Sequence, residues 1–159
     1  MARVKFSVQH FVACLNAGWD GMPGPKTSRT LERVGYLYIV APNTEFPCQE
    51  FEFWLYARFY RVGELNGTTG KLSIKAYWHD APEGLRYLDE RDLGSVRFSD
   101  RQPVVNTAWP LQGFLFPGQG LYEFQLTLER NRPWGNEDRL IRQEFIRIEK
   151  KHEAIKPTL

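Results

Sequence analysis

The chain has 159 residues and a formal net charge of +2, from 21 basic and 19 acidic side chains, with 42% apolar and 25% charged residues. Length and balance are those of one globular domain that buries its own core, which excludes wholesale disorder. Two cysteines exclude a disulfide-dense scaffold and a zinc site built from cysteine alone, and the near-neutral charge offers no electrostatic case for nucleic acid or anionic lipid.

Residues 1–6 hold no apolar run of the roughly 7–15 residues that a secretory signal carries. The most apolar stretch, residues 36–42, is far short of the ~20 residues that a helix needs to cross a bilayer. The expectation is a cytoplasmic protein in which Cys14 and Cys48 are reduced.

From residue 4 the rhythm has period two, and Val4, Phe6, Val8, His10, Val12 and Cys14 share one mostly apolar face of a long first strand. Residues 16–30, rich in glycine, proline and polar side chains, predict one long loop after that strand, of the length that is often functional. Residues 34–41 predict a second strand, closed by Pro42 and Asn43. In residues 49–62, Phe51, Phe53, Leu55, Ala57 and Phe59 line one face and Glu52, Trp54, Tyr56, Arg58 and Tyr60 the other. The alternation and the aromatic density favour strand over helix. After a turn with an Asn-Gly step, residues 71–79 return with Leu72, Ile74, Ala76 and Trp78 inward, and the two strands are predicted to form a hairpin.

Residues 80–93 are polar and suggest a short helical turn, followed by strands over 95–99, 103–107 and 111–116. The turn at residues 117–120 leads into Tyr122, Phe124, Leu126 and Leu128, which point inward while Glu123 points to solvent and is expected to be expendable. Residues 140–150 are the last strand, with Ile146 and Ile148 inward. Seven to nine mainly antiparallel strands with Gly/Pro turns at short spacing imply an all-β sandwich or barrel. Residues 1–150 read as one domain and residues 151–159 as a solvated tail.

One stretch carries a resemblance. Phe116-Pro117-Gly118-Gln119-Gly120-Leu121-Tyr122-Glu123-Phe124, closing with Phe145-Ile146-Arg147-Ile148, resembles the final hairpin of immunoglobulin-like β-sandwiches. The outline of the chain is similar to a family of small uncharacterised bacterial proteins with the same hairpin. The resemblance implies an immunoglobulin-like β-sandwich; the Cys…Trp…Cys pattern of antibody domains is absent, and no activity comes with the fold.

The side chains that could carry chemistry are few. His10 lies on the apolar face, where a hydrogen-bonded core or rim histidine is the ordinary role; His79 and Asp80 share a strand end; His152 is in the tail. Cys14 reads as buried and Cys48 as better exposed, and neither sits in a recognisable nucleophile signature. No phosphate-binding loop, Gly-x-Ser-x-Gly or His-Glu-x-x-His occurs, and no metal site or cofactor is expected. The distinctive constellation is aromatic and cationic: Trp54, Tyr56, Arg58 and Tyr60 on one strand face, with Lys75, Tyr77 and His79 on the matching face of its expected partner. Rings interleaved with cations suit a protein partner, bases or sugars, or are covered by the chain's own loop. Trp134, at a turn with Arg130 and Arg132, is a second contact candidate.

The expectation is a non-enzymatic binding or assembly module acting through this aromatic face, strand edges and loops, with a protein or a second copy as partner. Nucleic acid and membrane are not expected. The alternatives are a hydrolase using His79, Asp80 and Cys48, or a single-stranded nucleic-acid or glycan binder on the aromatic face.

Overall fold

Alternating apolar side chains bury one face of a strand, so two such sheets must close on each other. The computed structural model describes residues 5–14, 16–19, 29–32, 37–49, 54–62, 69–98, 104–111, 113–131 and 137–152. They form ten strands and no helix. These are β1 (Lys5–Cys14), β2 (Asn16–Trp19), β3 (Arg29–Glu32), β4 (Leu37–Val40) and β5 (Trp54–Val62). Then come β6 (Thr69–Ala81), β7 (Gly84–Arg97), β8 (Val104–Pro110), β9 (Gly120–Asn131) and β10 (Glu137–Lys150). No helix among the described residues is long and apolar enough to cross a membrane.

The strands make a three-stranded sheet in the order β1-β5-β8, a five-stranded sheet in the order β4-β10-β9-β6-β7, and a separate β2-β3 pair. All pairings are antiparallel except β4 with β10. The molecule is a β-sandwich. Its core is filled from β5 by Leu55, Ala57 and Phe59, from β6 by Leu72, Ile74, Ala76 and Trp78, and from β9 and β10 by Tyr122, Phe124, Leu126, Leu128, Ile146 and Ile148.

Five expectations are corrected. β5 and β6 are not a hairpin: β5 lies between β1 and β8, and β6 between β7 and β9. Each carries an apolar face, and the sandwich buries both by setting them against each other rather than side by side. The first strand does not keep one apolar face, because its register slips between Val8 and His10. Beyond the slip Phe11 and Ala13 turn to the core and His10 is exposed. The long loop after β1 contains the β2-β3 pair. Residues 84–97 are one fourteen-residue edge strand, β7, whose charged side chains hid the alternation, and residues 111 and 113–116 form no strand but bring Leu111, Phe114 and Phe116 into the core.

The turn before β9 is fixed by side chains. Gly120 has φ of +127°, and a Cβ there would fall on the Asp80 carboxylate, whose Oδ2 accepts from the Leu121 amide at 2.6 Å. The Tyr122 hydroxyl donates to the Gly118 carbonyl and accepts from the Gly118 amide at 3.2 Å. Trp78 stacks on the Tyr122 ring with centroids 6.2 Å apart and donates from Nε1 to the Gln119 carbonyl at 3.1 Å. A Cβ on Gly118 would lie 2.7 Å from the Trp78 ring, so both glycines are dictated by their neighbours.

Phe124 is fully buried, whereas Thr127 looks outward from the same strand. Phe124→Ala is expected to cost about 3–5 kcal/mol and Thr127→Ala about 0.5 kcal/mol or less, read as urea midpoints. Equal midpoints would place the β9 register off by one.

Glu144 stands on the inward side of β10, opposite Phe124, where β1 packs against β10. Burial, with no compensating partner among the described residues, pushes its carboxyl from 4.5 up to about 7. A raised folded value means that the folded state keeps a proton the unfolded chain has lost. Glu144 therefore favours folding below 4.5, and that contribution drains away as pH rises through about 7. Glu144→Gln is expected to flatten the fall in denaturation midpoint between about pH 5 and about pH 8; an unchanged slope would mean that the carboxyl is hydrated in the folded state.

Candidate functional site

Because β10, β9, β6 and β7 are in register, one row crosses the outer face of the five-stranded sheet: Phe145, Glu123, Tyr77 and Tyr87. Tyr77 and Tyr87 meet edge to face at 5.8 Å, and Tyr87 is 53% exposed. His79, one outward position further along β6, lies 6.0 Å from the Phe145 ring. At the β4 edge of the same face Leu37 and Ile39 are exposed, Ile39 by 61%. The face is thus partly apolar and aromatic from edge to edge, and such a surface suits contact with another molecule.

At its centre sits a buried acid. Glu123 is only 6% exposed, against the expectation that it faces solvent freely. Its Oε1 pairs with His79 Nε2 at 2.8 Å, and its Oε2 accepts from the side-chain amides of Gln125 and of Gln143, the latter at 3.0 Å. Burial pushes the Glu123 carboxyl up, but the hydrogen bonds from Gln125, His79 and Gln143 outweigh it and hold the group below its ordinary range. The arrangement locks the His79 ring, 32% exposed, against a fixed anion.

The depressed value sets a sign opposite to that of Glu144. The stabilisation from Glu123 is fully present above 4.5 and is lost as pH falls through the folded value. Glu123→Ala is expected to cost about 1–3 kcal/mol at neutral pH, because three donors lose their acceptor. The deficit should shrink in acid, read as denaturation midpoints at about pH 7 and about pH 3.5. A variant as stable as the wild type at neutral pH would show the network to be ornamental.

The remaining sequence candidates are dispersed. Trp54, Tyr56, Arg58 and Tyr60 lie on the outer face of the three-stranded sheet, on the other side of the sandwich from Lys75, Tyr77 and His79. The single aromatic–cation platform read from the sequence is therefore two separate faces. On the β5 face Tyr56 is buried at 8% exposure and donates its hydroxyl to Asn106 Oδ1 at 2.9 Å. Trp134 lies outside the described residues.

Cys48 is buried rather than exposed: its backbone bridges to Phe116 and its side chain joins the core. His79 instead faces outward to Glu123, and Asp80 is engaged by the Leu121 amide beside a groove of about 350 Å³ that Arg147 and Lys150 also line. His79 thus stands on the outer face of the five-stranded sheet, whereas the Cys48 side chain is in the core. Sequence reasoning missed Glu123, Tyr87 and Phe145. A glutamate between Tyr122 and Phe124 on a central strand was the one available signal, since its partner His79 is 44 positions away.

No protein-family model matches the chain, no curated protein matches its sequence, and no solved structure matches its fold. The resemblance drawn from the final hairpin rests on those residues alone.

Proposed function

We propose that the protein is a non-enzymatic binding or assembly module of immunoglobulin-like type, which meets a protein partner through the outer face of its five-stranded sheet. The observation that carries the reading is the row of Phe145, Tyr77 and Tyr87, with His79 held rigid beside it by a buried carboxylate. Rigid rings lose little side-chain freedom on binding, which is why aromatic side chains dominate contact energies.

The edge of β7 is poorly suited to strand addition. It carries Arg86, Asp89, Glu90, Arg91 and Asp92, and its pairing with β6 is broken by three register shifts. The face is the better contact surface. The immunoglobulin-like assignment is supported by the Tyr122 hydroxyl bonding back to Gly118 near the start of the penultimate strand and by a tryptophan, Trp78, in the core strand beside it.

The test is affinity capture from the native host with the full chain as bait, compared with Tyr87→Ala/Phe145→Ala and with Thr127→Ala. Loss of the captured protein with the first variant and its retention with the second is expected. Binding should also weaken less than tenfold between about 50 mM and about 200 mM salt, because apolar contact is weakly screened. A drop of about a thousandfold or more would replace this reading with phosphate recognition.

A further inference from the structure

On the outer face of the three-stranded sheet, Arg58 is flanked across β1 and β8 by His10 and Asn106, and along β5 by Tyr56 and Tyr60. Its Nε is shielded from solvent and has no hydrogen-bond partner. Among the described residues Arg58 makes no ion pair, and none of the neighbours that share its row and face is an acid. Arg130, whose Nε is equally shielded, differs in making a further interaction. A guanidinium partly stripped of water and given no counterion is an arrangement that folding alone disfavours. The groups around it offer hydrogen-bond donors: the guanidinium fork, the exposed His10 ring and the Tyr60 hydroxyl. The fork geometry matches two oxygens of one anionic group.

We propose that Arg58, with His10 and Tyr60, is a binding site for an oxyanion, a carboxylate or a phosphate group, on the face opposite the aromatic row. The anion binds at the terminal guanidinium nitrogens, which are not among the shielded atoms, and supplies the charge that the row lacks. The site stands on its own observations and does not depend on the partner surface described above.

The test follows the arginine Nε–H resonances of the full-length chain by NMR. Sodium acetate and inorganic phosphate are titrated separately, with chloride holding the ionic strength constant. One Nε–H signal should move saturably, and the same signal should be missing in Arg58→Met. Arg58→Lys, which keeps the charge but loses the fork, should bind at least about tenfold more weakly. Tighter saturation by acetate assigns the site to carboxylates, and tighter saturation by phosphate assigns it to phosphate groups. A shift that only tracks salt, or equal saturation by Arg58→Met at other resonances, overturns the proposal. A second readout separates binding from packing: without added anion, Arg58→Met should keep or raise the urea midpoint, since it removes an uncompensated charge at similar volume. A clear fall in that midpoint would make Arg58 a structural residue and sink the site.

Discussion

The Tyr122 hydroxyl, closed onto both backbone groups of Gly118, is the contact on which the five-stranded sheet depends. It fixes the turn that starts β9, and β9 is the strand that β10 and β6 both pair with. Trp78 completes the corner from β6 by stacking on the Tyr122 ring and bonding to Gln119, while Asp80 holds the Leu121 amide. Burial pushes the Tyr122 hydroxyl pKa above its ordinary range, which favours the protonated donor. With β9 placed, its inward side chains meet the core and its outward Glu123 lands between β6 and β10, where His79 and Gln143 wait. One corner thus sets both the core register and the geometry of the outer face.

What was legible in the sequence follows from how much of each strand is sandwiched. β9 and the end of β10 alternate strictly because one face is core and the other is not, and Tyr122, Phe124, Ile146 and Ile148 are inward as their spacing says. β7 was illegible because it is an edge: Arg86 lies over Trp78 at 5.3 Å and Arg91 over Phe114 at 5.9 Å, so cations stand where apolar residues were sought. β1 misled differently. Alternation is a reading of register, and a single slip between Val8 and His10 exchanges the two faces for the rest of the strand. Nor does periodicity say which apolar faces pair side by side and which meet front to front, and that is why the β5 and β6 rings were joined into one platform.

Glu123 and Glu144 show the same limit for charge. They stand one register step apart on adjacent strands, Glu123 opposite Phe145 and Glu144 opposite Phe124, and therefore on opposite faces of one sheet. Glu123 is the less exposed residue, yet its carboxyl is held low, because hydrogen bonds offset its desolvation. Glu144 has burial acting alone and is pushed up. Surface exposure by itself does not decide the protonation state; desolvation of the carboxyl set against its supply of donors does.

The same comparison separates structure from function among the buried charges. Glu123 is saturated by three side chains of its own fold, so its removal is felt as lost stability, and it holds the His79 ring rigid beside the aromatic row. Arg58 is the converse: it carries a shielded donor for which the described fold supplies nothing. A charge already satisfied within the chain has its free energy committed to folding. A guanidinium without a counterion still has that interaction to make, and an anion at its terminal nitrogens is the proposed partner. The sandwich therefore presents two unlike surfaces, an aromatic row preorganised by a closed polar network and, on the opposite face, a cation for which the described residues supply no counterion.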